Sequence, residues 1–179
     1  STVSMLKLRG SWGTLGNTEV KALYPWFLSQ PVGTANSAWL VGGERQNTSG
    51  APGIVSNSLT WERIESWNLG LDFAAFNNRL QGNLEYFNRT TRDMVGPPAP
   101  LPFTLGVGQP QVNNATLVSK GWEAELKWRD QIGKVSYGLR LVLSDDIQTV
   151  TQYYNPTGTL STWYSGRRMG EFWGYTTRG

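Results

Sequence analysis

Two residue types with versatile side-chain chemistry are missing from this sequence of 179 residues. It contains no cysteine, which excludes disulfide frameworks and thiolate metal sites. It also contains no histidine, so imidazole is not available as a general base or as a metal ligand. We therefore expect neither an enzyme nor a protein that carries a cofactor or a bound metal.

Charge and long apolar runs are also scarce. Charged residues make up 16% of the chain, and 16 Lys and Arg against 13 Asp and Glu leave a net charge of only +3. Because the basic residues are scattered along the chain, the sequence does not predict a nucleic-acid partner. No run of about 18 apolar residues occurs, so no helix of this chain is expected to cross a bilayer.

Aromatic residues and glycine, in contrast, are plentiful. Nine tryptophans and 21 glycines accompany the few charges, and aromatic residues reach 12% of the chain. This composition is typical of an all-β protein that meets an apolar phase, because aromatic rings collect at the boundary between that phase and water.

Apolar and polar residues alternate with a period of two in five segments, which is the pattern of half-exposed β-strands. The segment from Trp67 to Phe73 shows it most clearly, since every second residue there is Trp, Leu or Phe. The sequence predicts an all-β fold, an antiparallel up-and-down meander of five strands. These strands are predicted near residues 4–12, 60–73, 80–91, 115–128 and 135–146.

The predicted connections alternate between short and long. Residues 76–79 and 129–134 are short and contain asparagine or glycine, which tolerate the left-handed backbone of hairpin turns. Residues 13–58 and 92–114 form connections of about 45 and about 24 residues. This asymmetry is typical of outer-membrane β-barrels. It predicts periplasmic short turns, and extracellular long loops that include the stretch after the fifth strand and a polyproline segment at residues 97–102.

The alternation alone leaves two folds open. A soluble sheet also alternates, because one of its faces packs on a protein core. Charges at successive polar positions, as at Glu123, Glu125 and Lys127, favour a barrel with a wet interior, and so do aromatic rings that end the apolar stripes, as at Trp12 and Trp128. The alternative is a secreted β-sandwich that binds carbohydrate through its exposed tryptophans.

Three groups of residues resemble functional motifs but fit structural roles better. Glu123 and Glu125 lie two apart on one strand, and such neighbours do not straddle a scissile bond as a glycosidase pair does. Residues 166–174 are rich in glycine but lack the Gly-Lys-Ser/Thr ending of a phosphate-binding loop. Glu62, Arg63 and Glu65 fit exposed ion pairs, worth at most about 1 kcal/mol each.

A series of short motifs, in order and over nearly the whole chain, resembles the C-terminal barrel of SusC/RagA-type transporters, the TonB-dependent outer-membrane receptors of Bacteroidota. The motifs are residues 6–17 (LKLRGSWGTLGN), 59–62 (LTWE), 67–73 (WNLGLDF), 76–80 (FNNRL), 86–94 (YFNRTTRDM), 100–102 (PLP), 113–115 (NNA), 120–123 (KGWE) and 170–175 (GEFWGY).

The resemblance implies more than the residues themselves show. A complete protein of this kind would be a 22-strand barrel with an N-terminal plug, a segment that contacts TonB and a SusD-like lipoprotein as a lid. It would import glycans or peptides across the outer membrane of a Gram-negative bacterium. Residues 1–179 would then be part of the barrel alone, without the plug, since the chain reads as a piece of a longer protein at both ends.

Two groups of candidate site residues follow. The first is predicted to line the barrel lumen from the polar sides of the strands: Asn68, Asp72, Glu123, Glu125, Lys127 and Arg140. The second consists of loop aromatics that either contact a ligand or the lid protein, or form small hydrophobic cores within the loops: Trp26, Phe27, Trp39, Trp163 and Tyr164.

Overall fold

The computed structural model describes residues 2–18, 28, 30–34, 40–98, 104 and 106–177. Within these ranges the chain forms nine strands: β1 (Val3–Asn17), β2 (Val32–Thr34), β3 (Leu40–Val41), β4 (Glu44–Arg45), β5 (Asn47–Ser49), β6 (Glu62–Ala75), β7 (Leu80–Val95), β8 (Asn113–Ile132) and β9 (Val135–Tyr153). Among the described residues, no helix has the length and apolar character needed to cross a membrane.

The five long strands form one antiparallel sheet in the order β1-β6-β7-β8-β9. Every neighbour in the sheet is the next long strand along the chain, so the predicted five-strand meander is confirmed. The short strands form two small hairpins, β2 with β5 and β3 with β4, inside the first long connection.

The long strands extend beyond their predicted bounds, chiefly on the side of the long loops. Residues 13–17 belong to β1 and residues 92–95 to β7, although both were expected to be loop. The apolar alternation weakens in these residues because they lie outside the apolar band, while backbone pairing with the neighbouring strand continues. A bulge near Asp93, which has a φ of 53°, interrupts the pairing of β7 with β8.

The two short turns use backbone conformations that their residues favour to different degrees. Gly133 has a φ of 62° and, with Lys134, joins β8 to β9, so the predicted turn of residues 129–134 shrinks to a two-residue hairpin. Asn77 and Asn78 adopt φ values of 55° and 65° in the other turn, which asparagine tolerates. Phe76 shares this left-handed conformation at a φ of 54°, which is uncommon for a bulky residue.

One side of the main sheet, called the apolar face, carries the apolar alternation of all five strands. The register places Leu8 opposite Leu71, Leu84 opposite Ala124, and Ala124 opposite Leu143. Nothing in the described part of the chain covers this face: Leu8 is 79% exposed and Leu139 is 71% exposed. The aliphatic side chains of neighbouring strands therefore form a continuous apolar surface.

Aromatic side chains border this surface at both ends. At the end towards the long loops lie Trp12, Trp67, Tyr86 and Trp122; at the end towards the short turns lie Phe73, Phe76, Trp128 and Tyr137. The rings of Trp67 and Tyr86 pack with centroids 5.5 Å apart, and those of Phe76 and Trp128 with centroids 6.3 Å apart. Trp128 and Trp122 are separated by about 20 Å along β8 at the usual rise of a strand.

The alternative fold considered for the sequence, a β-sandwich, is wrong. A sandwich buries the apolar faces of two sheets against each other, whereas the apolar face here has no second layer among the described residues. Only Ala74, Ala115 and Val150 are buried hydrophobic residues in those ranges. The described structure is therefore one wall rather than a closed globule.

Candidate functional site: the polar face and the loop end of the sheet

The opposite side of the main sheet, called the polar face, gathers all six residues that were predicted to line a lumen. Directly paired residues of an antiparallel sheet point to the same side, so the register shows which residues share the polar face. Asp72, Asn83 and Glu125 form one row across β6, β7 and β8, while Lys127 pairs with Arg140. Asn68 pairs with Ser11 and Glu123 with Glu85 on the same face.

Arg9 lies at the centre of a bridging network that joins β1, β6 and β7. Its Nε and Nη2 atoms donate to the two carboxylate oxygens of Asp72 at 2.8 and 3.2 Å, which is the bidentate geometry that arginine favours. Its Nη2 atom also lies 3.6 Å from Glu85 Oε2, and Asn83 donates to Asp72 Oδ1 at 2.8 Å. The bridging network (Arg9, Asp72, Asn83 and Glu85) thus fixes three strands side by side.

Gly70 makes room for this network. It pairs with Arg9 on the polar face, and a Cβ atom at position 70 would lie 2.8 Å from Arg9 Nη2. The guanidinium group therefore lies across the bare backbone of β6 on its way from β1 towards Glu85 on β7. A larger residue at this position would lift the guanidinium group off the sheet.

A second charge cluster joins β8 to β9. Glu125 accepts from Lys127 Nζ at 3.1 Å, and the same carboxylate is hydrogen-bonded by Arg140. Asn68 donates to the hydroxyl of Ser11 at 3.2 Å. Glu123 differs from the other predicted residues: it lies directly opposite Glu85 and forms no ion pair within the described part of the chain.

Arg9, Asn83 and Glu85 also lie at polar positions of the alternating pattern, but they were not among the predicted site residues. Arg9 and Asp72 are 63 positions apart, and their contact depends on the register across the first long connection. Alternation shows which side of a strand a residue faces, but it does not show which residue of the next strand lies opposite.

The end of the sheet towards the long loops is held together by side chains that bond to backbone. Asn113 donates to the carbonyl oxygens of Thr60, at 2.9 Å, and of Asp93. Asn114 accepts from the Gly96 amide at 3.0 Å and donates to the Pro97 carbonyl at 2.8 Å. These two asparagines thereby tie the start of β8 to the residue range before β6 and to the end of β7 with the residues that follow it.

Residues 154–177, called the C-terminal loop, fold back along the free edge of β9. The Val150 amide donates to the Arg167 carbonyl at 2.9 Å, and the Gly166 amide donates to the Val150 carbonyl at 2.7 Å. The Met169 amide donates to the Gln148 carbonyl at 2.9 Å. This pairing covers the long-loop end of the β9 edge, which would otherwise expose unpaired backbone groups.

The two predicted loop aromatics in this region both have partners in the C-terminal loop or at the end of β9. Trp163 packs edge-on against Tyr153 with ring centroids 6.2 Å apart, and its carbonyl accepts from Asn155 at 3.1 Å. The Tyr164 hydroxyl donates to Glu171. Their role in contacting a ligand or lid stays a prediction, and Trp26, Phe27 and Trp39 lie outside the described residues.

Glu171 is the electrostatic centre of the C-terminal loop. The hydrogen bond from the Tyr164 hydroxyl lowers the pKa of Glu171, with further help from the Trp173 ring nitrogen, the Arg168 amide and the Arg167 charge. The same hydrogen bond raises the pKa of Tyr164. The Nε atom of Arg167 lies 3.7 Å from the Oε1 atom of Glu171, and its Nη1 atom donates to the Thr162 carbonyl at 2.6 Å.

Three aromatic side chains after Glu171 were not among the predicted candidates. Phe172 is 98% exposed, and Trp173 and Tyr175 also point into solvent. Large exposed rings that are close in sequence are typical of contact surfaces. In the sequence, these residues were considered as part of the family resemblance and of the glycine-rich stretch 166–174, but nothing in their pattern indicated exposed rings.

The polar face offers contacts rather than reactive chemistry. No group of three or more acidic residues in the described ranges lies close enough to hold a metal ion. The carboxylates of Asp72 and Glu125 are each held by cations or amides. The polar face is therefore a surface of charged and polar groups that hydrogen bonds and ion pairs join across the strands.

Comparison with known proteins decides the family. A sequence model described as "TonB dependent receptor-like, beta-barrel" matches residues 4–177. The chain belongs to this family. It is 30% identical over 131 residues to TonB-dependent receptor P3 of Formosa agariphila, and 30% identical over 95 residues to TonB-dependent receptor SusC of Bacteroides thetaiotaomicron. The resemblance found in the sequence motifs is thus confirmed.

Solved structures show the same relationship in three dimensions. The chain is similar to the RagAB peptide importer in its closed-closed state, with a TM-score of 0.73, 25% sequence identity and 93% of the chain covered. It covers only 18% of that protein, 12% of receptor P3 and 9% of SusC, and 73% and 53% of the chain align with the two receptors. The chain therefore corresponds to a small part of the length of its relatives.

Proposed function

We propose that this chain is a wall segment of a TonB-dependent importer in the outer membrane of a Gram-negative bacterium. The observation that carries the proposal is the division of the main sheet into an uncovered apolar face with aromatic borders and a polar face with ion pairs. A transmembrane β-barrel needs this division, because its outer side meets lipid and its inner side meets water. Family membership supports the same location.

In this arrangement the apolar face contacts the hydrocarbon of the bilayer. The two aromatic borders are about 20 Å apart along β8, or about 15 Å along the membrane normal at a barrel tilt of 35–45°, and they lie towards the two interfaces. The turns at residues 76–79 and 133–134 are periplasmic, and the longer connections with the C-terminal loop are extracellular.

The polar face then lines the lumen or contacts the plug of the full-length protein. Asn68, Asp72 and Glu125 stand in the paired part of this wall, while Glu123 presents a carboxylate without an ion pair among the described residues. Hydrated or plug-facing surroundings accept such a charge, whereas a lipid environment would not. The chain acts in transport and not in catalysis.

The full-length importer takes up glycans or peptides together with a SusD-like lipoprotein that serves as a lid, and it receives energy through TonB. Similarity to a structure named as a peptide importer supports the peptide class. The extracellular rings of Phe172, Trp173 and Tyr175 are exposed and supply a surface for contact with the lid. Trp163 and Tyr164 hold the C-terminal loop through their contacts with Tyr153 and Glu171.

Uptake by cells that express the full-length protein tests this proposal. We expect the cells to accumulate either a fluorescein-labelled peptide mixture or labelled maltodextrins, and to lose accumulation when TonB is deleted. A triple change of Phe172, Trp173 and Tyr175 to Ser should reduce co-purification of the lipoprotein while barrel folding stays intact. Accumulation of neither probe, or accumulation that is independent of TonB, would contradict the importer assignment.

A further inference from the structure

Two arginines face each other beyond the aromatic border at the loop end of the apolar face. Arg63 on β6 and Arg92 on β7 are direct partners in the sheet register. They point to the same side as Trp67 and Tyr86, because Arg63 precedes Trp67 by four residues and Arg92 follows Tyr86 by six. Both arginines are exposed. Arg63 and Arg92 are called the arginine pair below.

The depth of the arginine pair is set by its distance from the aromatic border. Four residues of strand span about 13 Å, which a barrel tilt of 35–45° reduces to about 10 Å along the membrane normal. If the ring of Trp67 lies at the hydrocarbon boundary, the Arg63 backbone lies just outside the lipid headgroups, and its side chain can reach back to them. The headgroup layer is about 5–8 Å thick on each side of the bilayer, within reach of a long arginine side chain.

The charges around the arginine pair are not balanced by the protein. Like charges directly opposite each other in a sheet are unfavourable, and among the described residues one carboxylate forms an ion pair with the arginine pair. Glu65 pairs with Arg92 at 3.4 Å, while Arg63 forms no ion pair within the described part of the chain. The pair therefore presents an unneutralised positive charge on the outer side of the sheet.

Trp61 completes this surface. It belongs to the same side of the sheet as Arg63, and a Cβ atom at Gly16 would lie 3.1 Å from its ring, so the ring covers the bare backbone of β1. The side chain is 67% exposed. An aromatic ring on the same side of the sheet as two guanidinium groups combines an apolar surface with hydrogen-bond donors, which suits a molecule that is part lipid and part anion.

We infer that the arginine pair binds the phosphate group of a lipid headgroup in the outer leaflet. The inference rests on the proposed function, because it requires that the apolar face is in a membrane. Guanidinium groups donate to phosphate oxygens in a paired, planar geometry that lysine does not provide. The phosphate neutralises the positive charge of the arginine pair that Glu65 does not balance. The acyl chains of the same lipid then lie along the apolar face.

Native mass spectrometry of the detergent-solubilised full-length protein tests this inference. The probes are monophosphoryl lipid A, the same lipid after enzymatic removal of its phosphate, and inorganic phosphate. The variant is Arg63→Gln with Arg92→Gln. The matched control is Arg89→Gln, because Arg89 is also on β7 but pairs with Ser66 on the polar face.

We expect the wild-type protein and Arg89→Gln to retain the phosphorylated lipid equally. The double variant should lose affinity by about tenfold or more, since each basic residue near an anionic lipid contributes about fivefold. Equal retention by the double variant and wild type, or equal binding of the dephosphorylated lipid, overturns the inference. Displacement of the lipid by inorganic phosphate would identify a free-anion site instead.

Barrel folding separates this inference from the proposed function. Wild type and all variants should show the heat-dependent shift in gel mobility of a folded barrel and should insert into vesicles of phosphatidylcholine. A protein that inserts but shows no dependence on the arginine pair overturns the lipid site alone. A wild-type protein that does not insert contradicts the proposed function itself.

Discussion

At the scale of single residues, glycines in the sheet leave space for large side chains from neighbouring strands. A Cβ atom at Gly82 would lie 2.2 Å from the Phe73 ring, and one at Gly121 would lie 2.5 Å from the Phe87 ring. These two glycines lie on opposite faces, so aromatic rings lean over glycine on both sides of the sheet. Gly70 does the same for the guanidinium group of Arg9.

Gly121 is the glycine that we expect to tolerate substitution least. A Cβ atom there would lie 2.7 Å from the Asp145 carbonyl oxygen as well as close to Phe87, and backbone does not move aside as a flexible side chain does. Gly121→Ala should therefore destabilise the full-length protein by about 1–3 kcal/mol. Urea unfolding in lipid vesicles measures this free energy.

Gly13→Ala is the matched control for that measurement. Gly13 is also in a long strand, but nothing lies within 4 Å of a Cβ atom at its position. Its substitution should leave the free energy of unfolding unchanged, or raise it by a few tenths of a kcal/mol through the unfolded chain. Equal effects of the two substitutions would contradict the close packing at Gly121.

At the scale of elements, the sequence predicts the strands, their order and their faces well, but it does not predict which residues lie opposite each other in neighbouring strands. The alternation from Trp67 to Phe73 identifies β6 and both of its sides, because side-chain direction has a period of two in any strand. The contact between Arg9 and Asp72 depends instead on a register set across a long connection. Asp93 and its bulge were also not foreseen, since a single extra residue leaves no mark on composition.

The C-terminal loop is the element whose stability should depend on pH. The folded-state pKa of Glu171 is lowered from an ordinary value of 4.5, chiefly by the Tyr164 hydroxyl. The ionised carboxylate therefore stabilises the loop above about pH 4.5, and this contribution is lost as the pH falls through the lowered pKa. We expect Glu171→Gln to mimic the acid form at neutral pH.

Hydrogen exchange at neutral pH measures this effect. The Gly166 and Met169 amides, which bond to β9, should exchange faster in Glu171→Gln than in wild type. The amides of β8 should not change. Glu44→Gln, in the small hairpin of β3 and β4, serves as the control and should match wild type throughout. Unchanged exchange at Gly166 and Met169 in Glu171→Gln would show that the loop is held without this carboxylate.

At the scale of the whole molecule, a sheet whose apolar face is left uncovered by the described residues, and whose two edges differ, needs surroundings to be stable. Long exposed strand edges and contiguous apolar surface lead to aggregation in water. In a closed barrel the neighbouring strands pair with β1 and β9, and lipid covers the apolar face. The division of each strand into an outer and an inner side is the property on which the proposed function depends.

Spin-label accessibility along β8 tests that division most directly. Single cysteines at residues 122–128 of the full-length protein, in a background without other reactive cysteines, are labelled and reconstituted into phosphatidylcholine bilayers. Labels at residues 122, 124, 126 and 128 should be accessible to oxygen dissolved in the hydrocarbon and shielded from a water-soluble nickel complex. Labels at residues 123, 125 and 127 should show the reverse or be shielded from both. Low oxygen accessibility at all the even positions would mean that protein, and not lipid, covers the apolar face, and it would contradict the account.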